Sequence, residues 1–331
     1  MKRLKKIAVM LLVLLLVAAA AIAVTIKATE NAEYGSTAYY VHYMLLVNLH
    51  RPIDADGDAW YTQPNGSLTL VSHALGGVIY GEDEEERDSY TNSLEGFTQS
   101  YERGLRIFEV DLDYTSDGQL VGVHDWEKQY APYYGDELPD HGTFMSSPVM
   151  GKYTPVDLEL LLDLMERYPD IMLMLDTKYG TDEDAISDFQ RFVGDVVSVA
   201  QERENGDALL DRMIIQLYYP GQYEAVQEVY PFENCLFTLY KLDSYAPYEV
   251  LLECLENRIP VVTMPYKYAD FASTGTALIA ERNTSALYAP RFMPKPMTAA
   301  GNASSTMPIL GSPKNMINSC TIRGVPLNTH I

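Results

Sequence analysis

From residue 68 to residue 289 the chain alternates between short apolar runs and stretches with helical spacing, and this alternation limits its fold more than any other feature. Seven runs read as strands: 68–72, 107–114, 171–176, 213–218, 235–240, 261–265 and 285–289. Helical patterns lie between them at 92–103, 155–167, 182–203, 223–229, 247–257 and 277–282. In the first of these, Leu94, Phe97 and Tyr101 share a face, and Gly104 stands where a helix C-terminus favours positive φ. Pro155 suits the first position of the second helix, with Thr154 as its N-cap. The turn Ser116-Asp117-Gly118 folds 107–114 back on an extended 120–124 as a hairpin-like excursion, and 127–153 reads as a long polar and aromatic loop. Such alternation predicts a parallel α/β sheet, either closed as a TIM-type (β/α)8 barrel or open and doubly wound. Polar residues suited to chemistry end several different runs, which is the barrel arrangement. An open sheet gathers them at one switch point, usually with a glycine fingerprint, and no GxGxxG follows the first run. The expectation is a barrel over 67–289, close to the roughly 250 residues this fold uses. Segment 290–331 is rich in Pro, Met, Ser and Asn with little periodicity, so the C-terminal strand is expected to be incomplete or divergent and the tail poorly packed.

Ahead of the barrel, Lys2, Arg3, Lys5 and Lys6 precede an uncharged apolar run over 7–26. About 20 such residues span a bilayer as a helix, and the basic flank predicts a cytoplasmic N-terminus. A cleavable signal peptide is the rival reading, because small residues crowd 18–23, although signal cores are usually about 7–15 residues long. Segment 1–27 is thus a signal anchor or signal peptide, and 28–66 a juxtamembrane connector without sustained period. The barrel is expected on the extracytoplasmic side of the cell membrane, or secreted if the segment is cleaved. A formal net charge of −22 argues against a nucleic-acid partner, which would demand a basic surface. It also means that a site receiving a phosphate ester needs a cation to reverse the local field. Cys235, Cys254 and Cys320 show no metal-ligand spacing, and the first two lie in apolar runs as buried thiols do.

The chemistry-bearing residues end the early runs. Glu109 and Asp111, two apart on one strand, point to the same face, which in a barrel is the interior. Two inward carboxylates repel and lose solvation, and a divalent cation is the physical remedy. Asp176, ending 171–176, offers a third oxygen, and oxygen-only ligation favours Mg²⁺ or Ca²⁺. The bland alternative is a solvated edge, with Glu109 paired to a neighbour such as Arg106. His73 and His124 each follow an apolar run, and imidazole suits both the base and the acid of phosphodiester cleavage. Lys178 shares a face with Asp176 and can neutralise a phosphoryl oxygen, unless it simply pairs with one of the carboxylates.

The ordered runs SHALGG at 72–77, TNSLEGFTQSYERG at 91–104 and IFEVDLDYTSDGQLVGVHDW at 107–126 resemble the core of the glycerophosphodiester phosphodiesterase family. That family shows a His-Arg-Gly, a Glu-Asn-Thr helix start, a Glu-x-Asp strand, an aspartate-glycine turn and a His-Asp. The likeness extends loosely through MLMLDTK and is only topological afterwards. It implies a TIM barrel with two catalytic histidines, His73 and His124, around one divalent ion held by Glu109, Asp111 and Asp176. In the third ligand position the family often has a glutamate, whereas related phospholipase D toxins, which make cyclic phosphates, use aspartate. Two departures bear on substrate choice. Ala74 stands where an arginine is expected, and Thr91 stands where an acidic residue is expected. The HALGG and DTK variant looks like a bacterial branch between these phosphodiesterases and phosphoinositide-type phospholipases C.

The expected activity is metal-dependent hydrolysis of a glycerophosphodiester or related phospholipid-derived diester. Attack by a substrate hydroxyl instead would give a phospholipase-like lyase forming a cyclic phosphate. A non-catalytic surface scaffold on a degenerate barrel is the non-enzymatic alternative, to which Ala74, Thr91 and the tail lend weight. Convergence of both histidines and all three carboxylates discriminates between enzyme and scaffold. A glycosidase using paired carboxylates leaves the two histidines unexplained.

Overall fold

A computed structural model describes residues 2–33, 36–50, 60, 70–80, 86–177, 179–180, 183–238, 247–264 and 318–321. In chain order its elements begin with helices α1 (Lys2–Thr29) and α2 (Thr37–Leu49), then strands β1 (Val71–Ser72), β2 (Val78–Tyr80) and β3 (Glu86–Asp88). Next come α3 (Leu94–Glu102), β4 (Ile107–Tyr114), β5 (Leu120–Gly122), the short helices α4 (Ala131–Tyr134) and α5 (His141–Met145), and α6 (Leu158–Arg167). The series continues with β6 (Met172–Asp176), α7 (Glu183–Gln201), α8 (Gly206–Leu210), β7 (Met213–Leu217), α9 (Gln222–Val229), β8 (Cys235–Thr238), α10 (Pro247–Glu256), β9 (Val261–Met264) and β10 (Asn318–Thr321).

The principal sheet runs β1-β4-β6-β7-β8-β9-β10, with β1 to β9 parallel and β10 antiparallel on β9. Its strand order follows the chain without reversal. That is barrel winding; a doubly wound sheet turns back at a switch point. The described strands make a curled TIM-type sheet, and the expected 277–282 helix and 285–289 strand lie outside the described residues. Of the expected tail, Asn318–Thr321 pairs with β9 from Met264 back to Val261, and the rest is likewise outside.

Period two sorts each strand between two cores. Phe108, Val110, Leu173, Leu175, Ile215, Leu217 and Phe237 face the helices, where they pack with Leu161, Met165, Phe189 and Phe192. Alternate residues Ile107, Met174, Ile214, Leu236 and Val261 form a separate inner cluster with Val71 and Trp60. Towards the strand C-termini the inward positions turn polar: Glu109, Asp111, Asp176, Gln216, Thr238 and Thr263 are all buried. Thr238 Oγ1 donates to Gln216 Oε1 (2.7 Å) and lies 3.0 Å from Thr263 Oγ1.

Several boundaries have plain causes. Ser93 caps α3, its Oγ accepting from Gly96 N, and Gly104 follows the helix with φ 94. Thr154 is not the cap of α6. Ser93 and Asp157 bridge Pro155 and Val121, so 155–157 is extended, and Asp157 caps instead by accepting from Leu160 N. Thr154 is taken by Glu95, whose carboxylate accepts from its N (2.9 Å) and Oγ1 (2.8 Å). The hairpin excursion pairs Leu112–Gly122 and Tyr114–Leu120, and the expected loop 127–153 instead continues the π-helical turn Trp126–Tyr130 and contains α4 and α5.

Residues 5–29 of α1 are long and apolar enough to cross a membrane, and residues 5–21 are exposed along their length. The 28–66 stretch holds α2, which lies along α10. Glu249 in the first turn of α10 accepts from the Tyr39 and Tyr43 hydroxyls, and His50 at the end of α2 meets Glu256 at the end of α10. At the other side His42 Nδ1 sits 3.1 Å from both Thr29 Oγ1 and Ile26 O. No period betrayed α2 because Tyr, Val, Met and Leu surround it on most sides.

Candidate active site

Four strands deliver the site: β4 and β6 carry the carboxylates, and β1 and β5 lead into the histidines. The register sets Asp111 of β4 beside Asp176 of β6, with Glu109 beside Met174 one pleat below. Glu109, Asp111 and Asp176 are 1%, 2% and 6% exposed, and one oxygen of each lies within 4.8 Å of the others. At that spacing two ionised carboxylates repel by about 3 kcal/mol even at an effective dielectric of about 20, before desolvation is counted.

Neutral donors fix the carboxylates in place. Ala74 N donates to Glu109 Oε2 (2.5 Å), Asn92 Nδ2 to Asp111 Oδ2 (3.0 Å), and the Tyr218 hydroxyl to Asp176 Oδ1 (2.5 Å). Asp111 N in turn donates to Asn92 Oδ1 (3.2 Å). Orienting groups of this kind are what a metal site needs around its ligands. The three-carboxylate donor set fits a hard divalent cation of the Mg²⁺ or Ca²⁺ class.

The two histidines stand beside different carboxylates. His73 Nε2 is 3.8 Å from Glu109 Oε2, and His124 Nε2 is 3.9 Å from Asp111 Oδ1. Both rings are partly exposed, at 20% and 34% of the side chain, so a ligand can reach them. His73 begins a one-turn helix directly after β1, and His124 follows β5, both at the C-terminal ends of strands. The sequence therefore named five residues that the fold brings together. Lys178 lies outside the described residues. Arg106 is not the partner of Glu109; it pairs with Asp170 (2.6 Å) and lies 4.1 Å over Tyr101.

The two departures from the family pattern have structural counterparts. Ala74 is fully buried with φ 51, so it offers its backbone N–H to Glu109 and no side chain to the cleft. Thr91 is also fully buried; its Oγ1 donates to Gly76 O (2.8 Å) and accepts from Ser93 Oγ (3.0 Å), closing the loop beneath the site. An ideal Cβ on Gly76 would stand 2.9 Å from Gly96 O and 2.1 Å from Ser100 Oγ, so only glycine lets α3 approach this loop.

Asn92, Tyr90, Gln129 and Tyr218 escaped the sequence reading. Tyr218 was within its reach, since a polar group follows β7 just as Asp176 ends β6. Asn92 had a weaker signal in its place before a capped helix. Nothing local marks Tyr90, whose ring lies against His73 and His124, or Gln129, which joins the nearby His124 N to the distant Tyr90 O.

No protein-family model matches the chain, and no curated protein matches its sequence. Solved structures of similar shape include glycerophosphodiester phosphodiesterases from three bacteria. That from Parabacteroides distasonis is 16% identical with a TM-score of 0.47, the match covering 65% of this chain and 80% of that one. The Agrobacterium tumefaciens protein is 12% identical with a TM-score of 0.44, over 65% and 82% of the two chains. The Thermotoga maritima protein is 14% identical with a TM-score of 0.43, over 68% and 88%. At such identities, function has to be read from the site residues themselves.

Proposed function

We propose that the protein is a metal-dependent phosphodiesterase acting on glycerophosphodiesters or related phospholipid-derived diesters. One observation carries this reading: a buried carboxylate triad at the ends of adjacent parallel strands, with two imidazoles each within 4 Å of a different carboxylate. A scaffold has no use for three mutually repelling buried acids. The ordered motifs around them, which resemble the glycerophosphodiester phosphodiesterase core, indicate the substrate class.

Glu109, Asp111 and Asp176 would hold one divalent cation, Mg²⁺ or Ca²⁺. When bound it supplies positive charge beside the phosphoryl oxygens. The chain's own residues do the proton work. One of His73 and His124 takes the proton of the attacking water as its oxygen bonds to phosphorus; the other gives a proton to the departing alkoxide as its one ester bond to phosphorus breaks, leaving the other ester intact. Lys178 is the proposed partner of a phosphoryl oxygen. The proposed working location is the extracytoplasmic face of the cell membrane, or outside the cell if the segment is cleaved: α1 is long and apolar enough to span a bilayer, and Lys2, Arg3, Lys5 and Lys6 precede its apolar run.

The test is a panel of glycerophosphodiesters and lysophospholipids incubated with the full-length protein in Mg²⁺, Ca²⁺ or chelator, followed by phosphorus NMR. The expected result is cation-dependent release of a phosphomonoester. A cyclic phosphate product would instead assign attack to a substrate hydroxyl. Absence of turnover on every diester with every cation would overturn the reading.

A further inference from the structure

The two loops over the carboxylates concentrate unusual backbone. Ala74, Leu75, Tyr90 and Asn92 all have φ between 40 and 59, in the left-handed region. Non-glycine residues stay there only where the surroundings hold them. Contacts account for two of these. Asn92 N donates to Ala74 O (2.9 Å), Asn92 spans Asp111 with both amide atoms, and Ala74 N meets Glu109. Tyr90 takes no part in those bonds, yet it adopts the same conformation, with φ 59.

The side chain of Tyr90 shows what the conformation achieves. Its ring centroid lies 4.5 Å from that of His73, with the planes at 79°, and 5.0 Å from that of His124, with the planes at 70°. Both are edge-to-face contacts, a favoured arrangement for ring pairs. The half-buried Tyr90 ring therefore touches both imidazoles at once. Its backbone is tied to one of them as well: Gln129 Nε2 donates to Tyr90 O (2.5 Å), while Gln129 Oε1 accepts from His124 N (2.9 Å). Gln129 lies in the π-helical turn Trp126–Tyr130, whose N-cap Asp125 accepts from Lys128 N. Such turns often occur at functional positions in proteins.

We propose that Tyr90 is a positioning residue for both histidines, its ring acting as a spacer between His73 and His124 and Gln129 fixing that spacer to the His124 backbone. The inference rests on the phosphodiesterase reading. In-line displacement places the attacking and leaving oxygens on opposite sides of phosphorus, so the base and the acid must be kept apart at a fixed angle. Each imidazole is also less than 4 Å from a metal-binding carboxylate. With the spacer gone, either ring can turn towards its carboxylate and leave the reacting oxygen. Displacement of about 1 Å is enough to cost roughly 100-fold in rate.

Tyr90→Asn is the decisive variant, because asparagine tolerates positive φ and removes only the ring. In the full-length protein kcat is expected to fall about 100-fold with a smaller change in KM, and divalent-cation binding is expected to persist. Tyr90→Phe keeps the ring and should recover most of the turnover. Gln129→Met cuts the tie and should lower kcat in the same direction. Imidazole proton–carbon NMR signals of His73 and His124, assigned by single substitution, should both shift in Tyr90→Asn, because each loses a neighbouring ring current. Wild-type kcat in Tyr90→Asn, a fall in Tyr90→Phe as deep as in Tyr90→Asn, or a shift of fewer than both signals would overturn the proposal. Failure of the phosphodiesterase reading is distinguishable: wild-type protein would then turn over no diester, while the NMR comparison still decides whether Tyr90 spaces the two imidazoles.

Discussion

Strand periodicity turns Glu109, Asp111 and Asp176 to one face of the sheet, where inward acids at strand ends are costly without a cation. The roles of His73 and His124 are tested most directly by single alanine substitutions. Each should lower turnover on the best diester by about 10²–10⁴-fold, the range for lost acid or base catalysis, with cation binding retained in calorimetry. Loss of the cation in both variants would make the histidines ligands instead. A second prediction concerns the buried thiols. Burial pushes the Cys235 thiol from its ordinary value near 9 up to about 12, and raises Cys254 as well. Both therefore stay protonated in the fold at pH values where the unfolded chain ionises them. Stability from these groups is fully present below about pH 9 and declines between about 9 and 12, by up to about 1.4 kcal/mol per pH unit per thiol. Urea midpoints at pH 8 and pH 10 should diverge less for Cys235→Ala than for wild type; equal divergence would count against the thiol as a contributor.

At the scale of elements, β4, β6, β7 and β9 fell within a residue or two of their sequence limits, since apolar runs bounded by turns have few alternatives. Helix starts were harder, because a cap depends on which side chain is left over for it. Asp157 illustrates this. One oxygen caps α6 at Leu160 N (2.8 Å), and the other meets His141 Nε2 at 2.8 Å from a helix that the sequence hid in a loop. Asp157→Ala should cost about 0.5–2 kcal/mol in denaturant unfolding, the usual range for losing an N-cap. A change below a few tenths would show that another donor acceptor pair replaces the cap. The helix α2 was hidden for the opposite reason: apolar residues on most of its faces leave no amphipathic stripe, and its partners on α1 and α10 lie at Thr29 and Glu249.

For the whole molecule, a cation that binds only the folded triad must stabilise the fold. At free Mg²⁺ about 100 times its dissociation constant the gain is about 2.7 kcal/mol, so thermal unfolding should move up by several degrees relative to chelator. Asp176→Asn should abolish that difference, and its persistence would relocate the cation. The full chain should also sediment with membranes and resist alkaline carbonate, because residues 5–29 are apolar enough to span. Release of a soluble product lacking those residues would assign the segment to a cleaved signal.

The parallel winding, the anchor-length helix and the identities of five candidate site residues follow from local pattern, because periodicity and composition act over a few neighbouring residues. The partners that make those five a site come from elsewhere in the chain. Tyr218 reaches Asp176 across 42 positions, Ala74 N reaches Glu109 across 35, and Gln129 reaches Tyr90 across 39. Contacts at such separations depend on the curvature of the sheet and the path of two strained loops. Those features exist only once the strands have packed, so no local spacing in the chain records them.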